Sequence, residues 1–281
     1  MESDTNLFPE TNSILNRREF FNYLAAISGG ACALVMLTDV QSTTAQITAV
    51  DDARLHTEHI KYAAEGGEMR AYLARPQAEG KYPGVIVIHE NRGLNAHIED
   101  VTRRVALEGF LAIAPDALSP FGGTPEDMEK VRALFQELDY AKTVKNFVAA
   151  VKYLQTNPLC TGKVGCTGFC WGGAMTNQVA VNSPDLLAAV PYYGRQPEAA
   201  DVPKIKAAML LHYASNDARI NEGIEAFEKA LQEAKVEHSV FIYEGAEHAF
   251  NNDTNPERYN KEAAELAWGR TIAFFKEKLK S

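Results

Sequence analysis

The hexapeptide GFCWGG at residues 168–173 constrains the fold most, because it places a cysteine in a glycine-rich turn between a predicted strand and a predicted helix. Residues 163–169 are short, largely apolar and β-prone, and residues 174–181 can continue as a helix. A sharp turn of this kind has no room for side chains beside its central residue, which explains the flanking glycines. The pattern indicates a nucleophile elbow with Cys170 in the place of serine. Taken alone, it also fits a glycine turn around a buried structural cysteine.

Two later strands end in residues that can complete a catalytic site. The apolar run 207–214 is followed by Asp217, and the strand-like run 240–243 is followed by His248. Nucleophile, acid and histidine therefore occur in the order of the α/β-hydrolase triad, each just beyond the carboxyl end of a predicted strand. Alone, the acid would be read as a loop residue or helix cap and the histidine as a surface residue. Their order and placement favour catalysis.

The sequence from residue 50 to residue 281 predicts one domain of the α/β class, with the α/β-hydrolase fold: a mainly parallel sheet with helices on both faces. The predicted strands are 56–63, 69–75, 83–89, 110–114, 163–169, 187–193, 207–214 and 240–243. The predicted helices are 98–108, 125–138, 140–155, 174–181, 222–234 and 259–279. The first two strands surround a glycine turn, which indicates an antiparallel hairpin at the edge of the sheet.

Composition excludes several classes of partner. The net charge is −9 and no basic block occurs, so neither nucleic acid nor an anionic membrane surface is an expected partner. The 46% hydrophobic content is enough for a substantial core. His56 and His59 lie out of phase on a strand, and His89 and His97 are separated by a loop, so no zinc site is predicted. We expect neither a metal nor a cofactor.

The amino terminus resembles a bacterial twin-arginine export signal. Arg17 and Arg18 precede a mildly apolar segment, residues 23–37, which is shorter than the roughly 20 residues that span a bilayer. We therefore expect residues 1–49 to be a signal peptide that the twin-arginine machinery reads, cut after Ala45 or Ala49, with no stable membrane anchor. The mature protein would be periplasmic or secreted. The alternative is that the two arginines begin an ordinary amphipathic helix.

Three cysteines remain after that cleavage, so a complete set of disulfides is not possible. Cys166 is predicted to lie in a central strand as a small core residue, and Cys160 in the loop before it. Whether the two pair depends on their geometry, and the sequence leaves this open.

Five motifs give the chain a specific resemblance. They are HENRG at 89–93, APD at 114–116, GFCWGG at 168–173, YYG at 192–194 and GAEHAF at 245–250. With these motifs, residues 55–280 resemble the dienelactone hydrolase family. The resemblance implies that Cys170 is the nucleophile, that His248 is its base, and that Asp217 orients the histidine.

The resemblance also implies a role for Glu90, as a buried carboxylate that contacts the resting thiol and helps to form the thiolate when substrate enters. Otherwise Glu90 could equally be a partner for the next helix or part of a loop salt bridge. An oxyanion formed from an ester needs preformed donors about 3 Å away. The backbone N–H groups of Trp171 and Asn91 are the candidates.

One departure from the family concerns substrate binding. Family members that act on dienelactone follow the histidine with Ser-Phe-x-Arg, and a second arginine helps to hold the substrate carboxylate. Here Ala249 and Asn252 stand in the places of that serine and arginine, and Arg132 is the one candidate for the second arginine. We therefore expect no strong preference for an anionic dienelactone over a neutral lactone or ester of similar size.

The sequence thus predicts a hydrolase that cleaves a small-molecule lactone or carboxylic ester through a thioester intermediate. Two other functions remain open. A thiol redox or ligand-binding protein could use the same scaffold, since an accessible cysteine can be oxidised instead of acylated. A receptor without catalytic activity would bind ligand and show no turnover. The acid and the histidine favour hydrolysis, because redox sensing needs neither.

Overall fold

A computed structural model describes residues 47–65 and 67–280, which lie within one compact unit. The predicted twin-arginine motif and residues 1–46 lie outside the described residues. Eight strands in the described part form one sheet in the order β1-β2-β4-β3-β5-β6-β7-β8. The strands are β1 (Leu55–Ala64), β2 (Gly67–Pro76), β3 (Tyr82–Ile88), β4 (Leu111–Pro115), β5 (Cys160–Phe169), β6 (Ala188–Tyr192), β7 (Ala208–Asn216) and β8 (His238–Glu247).

The sheet is mainly parallel, as the sequence predicts. β1 pairs antiparallel with β2 at one edge, which confirms the predicted hairpin, and β2 pairs antiparallel with β4. From β4 through β3, β5, β6 and β7 to β8 every pairing is parallel. Parallel neighbours need crossover connections, and the helices between these strands supply them.

Helices cover both faces of the sheet. They are α1 (Ala96–Leu107), α2 (Met128–Glu137), α3 (Tyr140–Thr156), α4 (Trp171–Asn182), α5 (Ala218–Asn221), α6 (Ile224–Glu233) and α7 (Lys261–Lys278). Side chains of α3, α4 and α6 form one core with alternate strand residues such as Ile86 and Ile88. Side chains of α1 and α7 form the other core with the intervening residues Val85 and Val87. This alternation is the period-two pattern of a strand buried on both faces.

Several element boundaries differ from those predicted, and β5 begins at Cys160, so this residue lies in the strand and not in the loop before it. α2 begins at Met128 instead of residue 125, because Asp127 caps it by accepting the N–H of Glu129 at 2.9 Å. The helix predicted over 222–234 is α6, which begins at Ile224 after Gly223, and the short α5 before it was not predicted. β8 continues past residue 243 to Glu247 after an irregularity in its pairing with β7, where Gly245 has φ +69°.

The sheet places the carboxyl ends of β3, β5, β7 and β8 along one edge, so the residues that follow these strands come together. In the described ranges, no helix is both long enough and apolar enough to cross a membrane.

Candidate active site

The turn between β5 and α4 has the geometry of a nucleophile elbow. Cys170 has φ 56° and ψ −112°, a strained conformation for a residue with a side chain. A Cβ on Gly168 would lie 2.3 Å from the carbonyl oxygen of Gly172, and a Cβ on Gly172 would lie 2.4 Å from that of Ile88. The glycines are therefore required by close backbone approach, and the turn holds Cys170 at the start of a helix.

The predicted acid and histidine are joined. Asp217 lies at the end of β7 and is 7% exposed, while His248 follows β8 directly. The Nδ1–H of His248 donates a short hydrogen bond to Oδ2 of Asp217. This bond leaves Nε2 unprotonated on the neutral ring, as a base requires. The ring of Tyr193 packs against His248 with centroids 5.1 Å apart and limits its movement.

Cys170 and His248 line the same two cavities, so the structure brings all three predicted triad residues to one site. Among the described residues no hydrogen bond joins the sulfur of Cys170 to His248. Burial raises the pKa of the Cys170 thiol to about 11, and the negative charge of Glu90 acts in the same direction. The backbone N–H of Trp171 opposes this by hydrogen-bonding the sulfur. At neutral pH the resting cysteine is therefore a thiol and not a thiolate.

Glu90 is the second residue after β3 and is buried beside the site. Its Oε2 accepts a hydrogen bond of 2.8 Å from the side-chain amide of Asn252, which lies four residues after His248. The sequence left two other roles open for Glu90, as a partner for the next helix or as part of a loop salt bridge. The residue that caps the next helix, α1, is Asn95, whose side chain accepts the N–H of Ile98. Glu90 also forms no ion pair within the described part of the chain. Its carboxylate instead faces the cavity that Cys170 lines.

His89 supports the loop that carries Glu90. Its Nδ1–H donates to the carbonyl oxygen of Glu90 at 2.7 Å, and its Nε2 accepts the N–H of Ala117 at 3.0 Å. Burial lowers the pKa of His89, so the ring stays neutral in this tautomer. The ring also stacks on Trp171, with centroids 5.5 Å apart and planes 10° apart. The sequence indicated His89 only as part of a motif, and the structure shows that it links the loop after β3 to the loop after β4 and packs on Trp171, the residue after the thiol.

The two candidate oxyanion donors lie beside the thiol. Trp171 is the first residue of α4, where backbone N–H groups have no partner within the helix. Asn91 and Trp171 line the larger of the two cavities together with Cys170. Their use as donors stays a prediction.

The smaller cavity, of about 350 Å³, is rich in arginine. Besides Glu90, Cys170 and His248 it is lined by four arginines, namely Arg92, Arg132, Arg219 and Arg258. Arg132 is the one that the sequence analysis proposed. Its side chain is 66% exposed and paired with Glu129. Sequence reasoning missed the other three, although Arg92 lies within the HENRG motif and Arg219 follows Asp217 by two residues.

A larger cavity, of about 660 Å³, also has Cys170 in its lining. Its lining includes aromatic and apolar side chains, namely Tyr140, Trp171, Ala174, Tyr193, Pro197 and Ile220. It shares Asn91, Cys170, Arg219 and His248 with the smaller cavity. Cys170 thus lies where two cavities of different character meet.

The other cysteines are separate from this chemistry. Cys160 and Cys166 are both buried free thiols, which answers the question of pairing that the sequence left open. Burial raises the pKa of Cys166 to about 12, as expected for a core thiol. No group of three His, Cys, Asp or Glu side chains within the described ranges is arranged to hold a metal ion.

Comparison with known proteins agrees with this geometry. The family model described as “Dienelactone hydrolase family” matches residues 69–279. A “Putative carboxymethylenebutenolidase” of Synechocystis sp. is 36% identical over 231 residues, which cover 76% of this chain and 93% of the relative. A protein of the same name from Escherichia coli is 36% identical over 231 residues, which cover 76% of this chain and 84% of that relative. A crystal structure of a “Putative Dienelactone Hydrolase” from Klebsiella pneumoniae has a TM-score of 0.70 at 31% identity, covering 79% of this chain and 99% of that chain.

Proposed function

This chain belongs to the dienelactone hydrolase family, and from that premise we propose that it hydrolyses a lactone or carboxylic ester with Cys170, His248 and Asp217 as its catalytic triad. The observation that carries the proposal is the hydrogen bond from His248 to Asp217 beside an elbow cysteine that lines the same cavities. A histidine oriented by a carboxylate beside a strained nucleophile is the arrangement that acyl transfer needs.

Activation of the nucleophile is the first step. Because the pKa of the Cys170 thiol is about 11, the resting enzyme must transfer the S–H proton before attack. Nε2 of His248 is the acceptor in the triad, and the hydrogen bond to Asp217 stabilises the imidazolium that forms. Glu90 is the second base at the site, and its charge disfavours the thiolate until substrate enters. This protects the sulfur from side reactions while the cavity is empty.

Acylation and deacylation then follow in balanced steps. The sulfur forms a bond to the carbonyl carbon, and the carbonyl electron pair moves to oxygen. The N–H groups of Trp171 and Asn91 donate hydrogen bonds to the resulting oxyanion. Collapse breaks the ester C–O bond, and the departing oxygen takes the proton from His248. Water next attacks the thioester carbon and gives a proton to His248, and the C–S bond breaks. The departing sulfur takes this proton from His248, which restores the thiol. The products are an acid and an alcohol, or one hydroxy acid from a lactone.

The site argues against the alternative of a thiol redox sensor. Such sensors depend on an accessible thiolate, whereas burial and Glu90 raise the pKa of Cys170 well above neutrality. The His248–Asp217 pair also has no role in simple oxidation. A receptor without turnover is separated from a hydrolase by the experiment below.

We further propose that the protein is exported by the twin-arginine machinery and acts in the periplasm or outside the cell. The support is the Arg17–Arg18 pair before a short apolar segment. No partner other than this machinery and the small-molecule substrate is proposed.

Rapid mixing of the enzyme with a chromogenic aryl ester tests the hydrolase proposal. We expect a burst of alcohol equal to the enzyme concentration, and an acyl group on the peptide that contains Cys170 by mass spectrometry. Cys170→Ala should abolish both, and Cys160→Ala, which removes a thiol outside the cavities, should leave both intact. Ligand binding without acylation would support the receptor, and sulfenic acid without acylation would support the redox protein.

A further inference from the structure

The two cavities that meet at Cys170 differ in charge. Four arginines line the smaller cavity, while Glu90 is its one carboxylate among the described lining residues. The larger cavity is lined by two arginines, Arg195 and Arg219, and by two carboxylates, Glu198 and Asp201. The positive and negative charges of these four side chains therefore cancel. The excess of positive charge is therefore found in the smaller cavity.

The arginines of the smaller cavity are largely available to a ligand. Arg132 is paired with the exposed Glu129. In the described part of the chain, Arg92, Arg219 and Arg258 form no ion pair. One oxygen of Glu90 is already occupied by Asn252. The lining of this cavity therefore includes three arginines that have no carboxylate partner in the described part of the chain, and guanidinium groups bind carboxylates through paired hydrogen bonds.

The larger cavity suits a different chemical group. It is nearly twice the size, at about 660 Å³ against about 350 Å³, and three aromatic rings line it. The ring of Trp171 is fixed there by stacking on His89 and by an edge contact with Phe135, whose centroid is 5.1 Å away. A rigid aromatic wall favours an apolar or aromatic group.

We infer that the substrate is an ester with two unlike halves, one carrying a carboxylate that binds the arginine-lined cavity and the other carrying an apolar ring that binds the larger cavity. The inference rests on the proposed function and names its substrate class. The inference differs from the expectation, drawn from the sequence, that the enzyme has no strong preference for an anionic substrate over a neutral one. That expectation took only Arg132 into account. Arg92, Arg219 and Arg258 supply the charge that the missing family clamp does not.

Three esters of glutaric acid test both halves of the inference. Monobenzyl glutarate carries both groups, its primary amide replaces the carboxylate by a neutral isostere, and monomethyl glutarate lacks the ring. We expect kcat/KM for monobenzyl glutarate to exceed that for the amide by about 10-fold to 100-fold, the range for charge-assisted contacts at a partly exposed site. We expect kcat/KM for monobenzyl glutarate to exceed kcat/KM for monomethyl glutarate by at least about tenfold, because the ring adds buried apolar area.

Variants assign the preference to named residues. Arg258→Gln and Arg92→Gln should each lower the acid-to-amide ratio by about fivefold or more. Arg54→Gln, which removes an exposed arginine paired with Asp52, is the control and should leave the ratio unchanged. An acid-to-amide ratio near one, or a ratio that survives in both variants, overturns the anionic half. Equal kcat/KM for the benzyl and methyl esters overturns the apolar half.

Binding to Cys170→Ala separates this inference from the proposed function. The variant cannot form the thioester, and calorimetric titration with monobenzyl glutarate and with its amide measures recognition without turnover. Tighter binding of the acid supports the inference even if the wild-type enzyme hydrolyses none of the three esters, in which case only the proposed function fails. Equal binding of acid and amide overturns the anionic half whether or not turnover occurs.

Discussion

The side-chain amide of Asn252 donates a 2.8 Å hydrogen bond to Oε2 of Glu90, although the two residues are 162 positions apart. The bond joins the loop after β3 to the loop after His248. It holds the carboxylate whose charge raises the pKa of the Cys170 thiol. Asn252 stands where the family pattern has an arginine, and in this chain the position holds the carboxylate of Glu90.

Glu90→Gln should make alkylation of the Cys170 thiol faster and its acylation by an ester slower. Removing the negative charge lowers the pKa of Cys170 below about 11, so alkylation by iodoacetamide at pH 8 should become faster. Acylation by an ester should slow by about 10²-fold, because a base at the site is lost. Stopped-flow acylation and the pH profile of alkylation measure the two effects. Glu68→Gln, which removes an exposed carboxylate on β2, is the control. If neither profile changes, Glu90 has only a structural role.

The triad should behave as one unit. Cys170→Ala should abolish hydrolysis with the fold retained, and Cys170→Ser should keep only a trace, because a hydroxyl needs a stronger base. His248→Ala should be nearly as damaging, and Asp217→Asn should cost about 10²–10⁴ in kcat through misorientation of the imidazole. Kinetics of the single and double variants provide the check. Effects that multiply in the double variants would show that the residues act independently.

The residues that could be predicted from sequence are those whose role is set by local backbone geometry. Cys170 lies in a turn that only a glycine-flanked residue can form, and Asp217 and His248 end strands with clear apolar runs. The boundaries that were wrong depend on longer-range effects, such as the continuation of β8 through its pairing with β7.

The missed residues of the site have a similar explanation. Arg219 and Arg258 come from different loops, and nothing in their local sequence indicates that both line one cavity. The bond between Asn252 and Glu90 likewise depends on the relative placement of two loops. Local patterns determine which residues end the strands, while the cavity around them depends on the packing of the whole sheet edge.

Export should depend on the paired arginines. Their receptor distinguishes guanidinium groups from lysine, so replacing Arg17 and Arg18 together by lysine should leave precursor in the cytoplasm. Fractionation of cells that express the two forms measures this. Efficient delivery of the lysine form to the periplasm would give residues 1–49 another role.

Of the two candidate cleavage sites, we predict that the one after Ala45 is used. The N–H groups of Ile47 and Thr48 donate to the carboxylate of Asp100, the latter at 2.7 Å, and Thr48 is 4% exposed. Cleavage after Ala49 would remove two donors from a buried carboxylate. A chain that begins at residue 50 should be less stable than one that begins at residue 46 by about 1–3 kcal/mol in urea unfolding. Equal stability of the two chains, or an exported protein that begins at residue 50, would contradict the prediction.

The last prediction concerns stability at low pH and the buried His212 of β7. Its Nδ1 and Nε2 are bonded to Tyr243 at 2.9 Å and to Thr271 at 3.0 Å, and burial lowers its pKa from 6.5 to about 3. Because the unfolded chain binds this proton and the folded chain does not, the contribution of His212 is present above pH 6.5 and is lost as pH falls towards 3. His212→Gln should therefore be less stable than the wild type at pH 7.5, with a gap that narrows by about 1–3 kcal/mol at pH 4.5. Urea unfolding at the two pH values measures the gap, and a gap that stays constant would mean that His212 does not titrate between them.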